Sequence, residues 1–432
     1  MKTLDQIAAE LQGYDPGALP ATTVGDFLAQ LVEPLSDTET VGVFEALDRV
    51  LAQDIISPID VPPHDNAAMD GFAVQGACLS GNGETVLRVV GTCYAGDTRW
   101  SHPIPADACV RIMTGAVMPD ELDTVVPLEF VRTERDGAQE RVHIPARVVQ
   151  PGDHRRRRGE DLTAGRAAVR AGQRLGPAAL GLIASLGIAR VPVVRRLRVA
   201  YFSTGDEIVS LGEPLREGTI YDSNRYTVYG LLRRLGVEVI DLGVVRDDPA
   251  ALEAAFRQAA AQADAIITSG GVSMGEADHT KAMMRRLGDV AFWRIAMRPG
   301  RPMAVGRLLD PAGGAPTVLF GLPGNPVAVM VTFLAFVRPA LLRMMGVRKT
   351  APVLLRARSA EAMRKKPGRT EYQRGIVTRE ADGSLRVRTT GNQGSGVLRS
   401  MVEANGLIVL GHQQGPVAVG DEVDVMMFDG VI

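Results

Sequence analysis

The chain has 432 residues, with 48 Lys and Arg against 50 Asp and Glu, a formal net charge of −2. A 46% hydrophobic content excludes a wholly disordered chain, and near-neutral charge with 5% aromatics argues against a basic, base-stacking nucleic-acid binder. Three cysteines without a C-x-x-C and six scattered histidines exclude a disulfide scaffold and a Cys/His structural zinc site.

Length alone suggests about three domains. The first residues, MKTLDQIAAE, lack the apolar core of a signal peptide. The most apolar stretch, Val327–Val337, ends at Arg338 and falls short of the ~20 residues that span a bilayer. The expectation is a cytoplasmic chain with no membrane and no nucleic-acid partner.

Residues 1–22 read as a short amphipathic helix (Leu4, Ile7, Ala8, Leu11) and a Gly/Pro-rich link. A second helix follows, with Thr23 as its expected N-cap and Phe27, Leu28, Leu31 and Val32 as its apolar stripe. A third helical pattern covers Val43–Leu51. From Ile55 to about Gln150 the texture is β, in short alternating segments such as Thr85–Val90, Ala108–Met113 and Val125–Val131 broken by Gly, Pro, Asn and Asp. Helix returns at Gly176–Leu186.

From Leu197 strands and helices alternate. The strands are Leu197–Phe202, Val237–Leu242, Ala265–Thr268 and Thr317–Phe320; the helices are Asn224–Leu235, Pro249–Gln262, His279–Leu287 and Val327–Met345. Such alternation implies a parallel sheet with right-handed crossovers. From Pro352 the chain is β again and suits one small barrel or sandwich.

In an open α/β sheet ligands bind beyond the carboxyl ends of the strands. Four loops take that position: Ser203–Glu207, Arg246–Pro249, Ser269–Asp278 and Gly321–Pro326. Glycines such as Gly270 and Gly271 let backbone N–H groups approach an anion, and the acids suit a hard cation such as Mg²⁺. Any one loop alone reads as a turn and helix cap. Four at one end of a sheet favour a site for a phosphate-bearing ligand.

Two further clusters carry charge. Arg155–Arg158 precede Gly159, Glu160 and Asp161, which reads as a solvated face or an oxyanion subsite. Arg294, Arg298 and Arg301 lie in FWRIAMRPGRP, where alternation predicts a strand with Arg294 and Arg298 on one face. DNAAMDG and RIMTG read, from residue chemistry alone, as hairpin turns. No Walker or dinucleotide-binding glycine motif is present, nor a Ser-His-Asp pattern.

Taken in order, DNAAMDGFAV, RIMTGA, RRRRGED, ASLGI, FSTGDE, IYDSN, RDDP, SGGVSMGEADHT, FWRIAMRPGRP, GLPGNPV and PGRTEYQRG resemble the molybdopterin molybdenumtransferase family (MoeA and the E domain of gephyrin). The resemblance runs from about residue 23 to the end. It implies a multidomain α/β plus β fold: an N-terminal extension (1–22), a discontinuous helical and extended linker domain (23–62 and 159–194), an inserted β domain (63–158), a doubly wound α/β domain like the molybdopterin adenylyltransferases (195–348) and a C-terminal β-barrel (349–432). That arrangement overrides the hairpin reading of DNAAMDG and RIMTG. It raises the domain count from three to four.

The resemblance also implies Mg²⁺-dependent insertion of molybdate into adenylylated molybdopterin with release of AMP. It implies a homodimer with the active cleft at the subunit interface, and contacts with molybdopterin adenylyltransferase and molybdoenzyme chaperones. Carried over residue by residue, the essential groups are Asp70, Thr114, Asp161, Glu207, Asp247 and Asp278. Glu207, Asp247 and Asp278 are the expected metal ligands. Arg158, Ser269, Gly270, Gly271, Ser273, Arg294, Arg298, Pro323, Gly324, Asn325 and Pro326 are the expected substrate contacts. Family members commonly carry Lys where this chain has Arg294, Arg298 and Arg301, so a planar fork replaces a point charge. The 1–22 extension reads as a solvated tail. An adenylyltransferase and a non-catalytic scaffold are the competing function classes; the extra β domains and RRRRGED count against the first, the intact acids and low aromatic content against the second.

Overall fold

The computed structural model describes residues 2–11, 18–272, 279–309 and 314–430. Its centre is a six-stranded sheet. Strands Glu238–Val245, Arg198–Thr204, Ala265–Ser269 and Thr317–Leu322 run parallel in that spatial order, and Pro302–Leu308 and Gly288–Arg294 continue it antiparallel. The inner strands are apolar along nearly their whole length because helices cover both faces. Asp222 caps the Ser223–Leu235 helix by accepting from the Arg225 amide, and Gly236, at φ 86°, closes it. Asp248 caps the Pro249–Gln262 helix through the Ala251 amide, with Pro249 in its first turn.

The last helix of the α/β domain runs from Pro326 to Met344 with a π-helical turn at Phe333–Val337. Pro339 lacks an N–H and crowds the carbonyl four residues back, which a wider turn accommodates. This 19-residue run has a mean hydropathy of 1.8 and is long and apolar enough to cross a membrane, yet most of it is buried inside the fold. Its apolarity serves the core, where Val327, Val331, Phe333 and Leu341 pack.

The C-terminal β region closes on itself. Thr370–Arg379 pairs with both Leu385–Thr389 and Gly406–Leu410; Leu354–Ser359 and Glu422–Met427 complete a five-stranded barrel. Residues 71–144 form a separate six-stranded sheet. Segments on either side of that insertion pair with each other, Thr38–Gly42 with Arg190–Val194 and Ile55–Ile56 with Ala167–Val169.

Several local expectations change. The second helix spans Ala21–Leu31 with Pro20 at the N-cap, so Thr23 lies inside it. Val43–Leu51 holds only a single 3₁₀ turn, Phe44–Ala46, and Asp48 at φ 62° stops it extending. The N-terminal segment is not a solvated tail. Its Leu4–Glu10 helix buries Leu4 and Ile7 in the core of the α/β domain, and Arg307 donates to the carbonyls of Lys2 and Leu31. The predicted strand carrying both Arg294 and Arg298 breaks between them. The sheet strand ends at Arg294, whose neighbour across the sheet is Pro302; between the two the chain turns through Pro299 and Gly300, at φ 94°, and Arg298 lies in register with Glu371 of a barrel strand instead.

Candidate functional site

A cleft of about 1050 Å³ opens at the carboxyl ends of the parallel strands, between the α/β domain and the barrel. Its walls come from the strand-end loops at 204–207, 247, 270–272 and 323–325, the 297–302 segment, and the barrel at 369 and 393–395. The strand-end loops contribute Asp206, Glu207 and Asp247; the 297–302 segment contributes Arg298 and Arg301, and the barrel Arg369. Arg369 is paired with Glu371 at 2.7 Å, whereas Arg298 and Arg301 have no ion-pair partner among the described residues.

The glycines define the shape of the floor. Gly270 sits at φ 88°, and a Cβ there would lie 2.2 Å from the Thr204 carbonyl oxygen. Gly271, at φ 65°, presses against Thr280. The Gly270 N–H already donates to the Leu322 carbonyl at 3.2 Å, so this glycine supplies room and backbone direction rather than a free donor. Thr280, fully buried, donates its hydroxyl to Asp247 Oδ1 at 3.3 Å and steadies that carboxylate. The Glu207 carboxylate folds back over Gly205, where a Cβ would come within 2.5 Å of its Oε2.

Of the expected residues, Glu207, Asp247, Gly270, Gly271, Arg298, Pro323, Gly324 and Asn325 line this cleft. Asp278 and Ser273 lie outside the described residues. Ser269 turns into the core, where its hydroxyl bonds Tyr201 at 2.7 Å and Ser203 at 3.2 Å. Pro326 opens the last helix, and Arg294 is exposed at the sheet edge; neither lines the cleft.

The remaining expected residues sit in or beside the inserted β region. Asp70 accepts from the Thr114 amide and hydroxyl, both at 2.7 Å. Those two hydrogen bonds, the backbone one first, hold the Asp70 carboxyl below its ordinary range. Arg158 is spent locally: its Nε meets Asp60 at 2.6 Å and its amide meets Asp65 at 2.7 Å. Asp161 is exposed. None of these four belongs to the cleft wall within one chain.

Sequence reasoning missed part of the site. Arg369, Gln393, Gly394 and Ser395 reach the cleft from the barrel, and the Val327 amide fixes that wall by donating to the Ser395 carbonyl at 3.1 Å. Asn224, in IYDSN, holds the opposite loop through a 2.7 Å bond from Nδ2 to the Gly324 carbonyl. The recurrence of Gly and Asn in GNQGSG was a signal of a loop but not of its destination.

The charged donors the cleft offers a cation are the carboxylates of Asp206, Glu207 and Asp247, and no Cys or His is among its described lining residues. That set fits Mg²⁺, although no group of three His, Cys, Asp or Glu side chains forms a metal cluster among the described residues. Acids, guanidiniums without an ion-pair partner among the described residues, and close-packed glycines in one cleft make the charge pattern of an enzyme site for an anionic ligand.

Family comparisons agree across the chain. Residues 21–187 match the MoeA N-terminal region (domain I and II), 200–343 the "Probable molybdopterin binding domain" and 356–428 the MoeA C-terminal region (domain IV). The chain is 41% identical over 406 residues to the molybdopterin molybdenumtransferase of Haemophilus influenzae, covering 94% of this chain and 97% of that protein. It is 37% identical over 405 residues to that of a Nostoc species, covering 92% and 91%. A crystal structure of the MoeA protein from Pyrococcus horikoshii superimposes with a TM-score of 0.78 at 26% identity, covering 95% of this chain and 100% of that one. The chain belongs to the molybdopterin molybdenumtransferase family, whose work is molybdenum cofactor biosynthesis.

Proposed function

We propose that the cleft inserts molybdate into adenylylated molybdopterin and releases AMP, with Mg²⁺ required. The observation that carries this reading is the make-up of the cleft: carboxylates and Gly270 and Gly271 on the strand-end loops, together with Arg298 and Arg301, which have no ion-pair partner among the described residues. An adenylylated, multiply charged ligand needs that combination. The guanidiniums bind and orient its phosphate oxygens or the incoming oxyanion. Glu207 and Asp247, with Asp278, would hold Mg²⁺, which when bound neutralises phosphate charge and favours attack at phosphorus. Thr280 keeps Asp247 oriented. No side chain need act as a nucleophile, so positioning and charge complementarity supply the rate.

The same reading assigns Asp70, Thr114, Asp161 and Arg158 to the cleft of a partner subunit in a homodimer. Their absence from the cleft wall of their own chain supports that assignment. So does the exposure of Ile220, Tyr221, Tyr226 and Tyr229 on and just before the Ser223–Leu235 helix, an apolar surface that suits a subunit contact.

The test is incubation of the protein with adenylylated molybdopterin and Mg²⁺, with and without molybdate, under reducing conditions. Molybdate-dependent AMP release is the expected result. Adenylate formation from ATP and molybdopterin would instead make it an adenylyltransferase.

A further inference from the structure

The barrel strand Thr370–Arg379 buries an arginine where an apolar side chain would fill the space. Arg374 is 1% exposed. Its Nε donates to Ser400 Oγ at 3.0 Å, and its Nη2 to the carbonyls of Gly394 at 3.0 Å and Asn392 at 3.4 Å. Its backbone is tied to the same loop: the Arg374 amide donates to Gln393 Oε1 at 2.7 Å, and Gln393 Nε2 donates back to the Arg374 carbonyl at 3.2 Å. The hydroxyl and two carbonyls solvate the guanidinium, but no carboxylate among the described residues pairs with it. Glu371, the nearest acid on the strand, is occupied by Arg369 and Gln373.

Two consequences follow from the place of this loop. Gln393, Gly394 and Ser395 are the barrel's contribution to the cleft wall, and Ser395 is bonded to the first turn of the Pro326 helix. Arg374 therefore sets the position of the wall from behind. Its uncompensated charge also adds to that of Arg298, which lines the same side. Burial, and after it the neighbouring Arg298, pulls the Arg374 guanidinium down to about 10, still protonated at neutral pH.

We propose that Arg374 is a positioning residue for the cleft: it fixes the Asn392–Ser395 wall against the α/β domain and keeps that wall electropositive for an anionic substrate. The substrate part of this inference rests on the function proposed above; the positioning part does not.

The experiment uses the full-length chain and three variants, Arg374→Lys, Arg374→Met and Ser400→Ala. Two quantities are read: hydrogen exchange at the 392–395 amides, and KM and kcat for molybdate-dependent AMP release. Arg374→Met should speed exchange at those amides. It should lower kcat/KM by about 100-fold, mostly through KM, as expected when a wall shifts without loss of a reacting group. Arg374→Lys should restore part of the KM, because it keeps the charge, but not the protection, because an ammonium lacks the planar fork. If Arg374→Met fails to fold, Ser400→Ala should show the same two changes to a smaller degree. Folded variants with wild-type loop protection would overturn the positioning role. A lowered melting temperature with wild-type KM would reduce Arg374 to a structural residue and overturn the electrostatic role. If the wild-type chain releases no AMP, the proposed function fails, and the exchange measurement still decides the positioning claim.

Discussion

The cleft and the inserted β region carry similar side chains but leave them in opposite states. In the β region the charges are answered locally: Asp70 by Thr114, Arg158 by Asp60, Arg155 by Asp65 at 3.4 Å. In the cleft, Arg298 and Arg301 have no ion-pair partner among the described residues, and Asp247 has only a 3.3 Å hydroxyl. Unspent charge around one cleft is what a charged ligand completes. Satisfied charge on a surface is preorganised, and becomes functional only when another surface brings a substrate to it.

The sharpest way to break that contrast is complementation. Asp70→Asn and Asp247→Asn should each lower activity by about 100-fold or more when present in every subunit. Co-expressed as mixed dimers, the two variants should regain part of the activity, because one of the two clefts is then intact. No recovery would mean that both residues serve the cleft of their own chain or that Asp70 is structural.

Glycine substitutions test the same contrast at the backbone. Gly270→Ala forces a Cβ to 2.2 Å from the Thr204 carbonyl at φ 88°, so a loss of about 3 kcal/mol in thermal or chemical unfolding is expected, together with lost activity. Gly115→Ala, beside Thr114 at φ 83° but with its nearest neighbour 3.8 Å away, should cost only about 1–2 kcal/mol. Equal costs would show that the cleft floor is not tightly constrained.

The smallest effect is a titration. Because the folded Asp70 carboxyl is held below its ordinary value of 3.8, its contribution to stability is fully present above that value. It is lost as pH falls through the lowered folded value, so neutral-pH stability should not change with pH on its account. Thr114→Val should move the Asp70 carboxyl resonance, followed by NMR, back towards 3.8. An unmoved titration would show that the Thr114 hydroxyl does not set it.

How legible the molecule was depended on how local the determinants are. The α/β domain could be read because Asp222, Asp248 and Pro249 mark helix starts beside strands that are apolar along most of their length. Arg294 was misplaced because alternation across FWRIAMRPGRP mimics one strand, while the turn at Pro299 and Gly300 sends Arg298 to the barrel. Ser269 was misplaced because a strand-end serine can face the cleft or the core, and the partner that decides it, Tyr201, lies in another strand. The Gln393–Ser395 wall could not be read at all. Its position depends on Arg374, Ser400 and Val327, which are remote from one another or from the strand ends in sequence.

The central claim is that the acids of the cleft, rather than any protein nucleophile, drive the reaction. The most direct measurement is AMP release from adenylylated molybdopterin in a single turnover started by molybdate with Mg²⁺ present. The wild-type chain should release AMP, while folded, dimer-competent Glu207→Gln and Asp247→Asn should bind the adenylate yet release little or none. Wild-type release from both variants would contradict the claim.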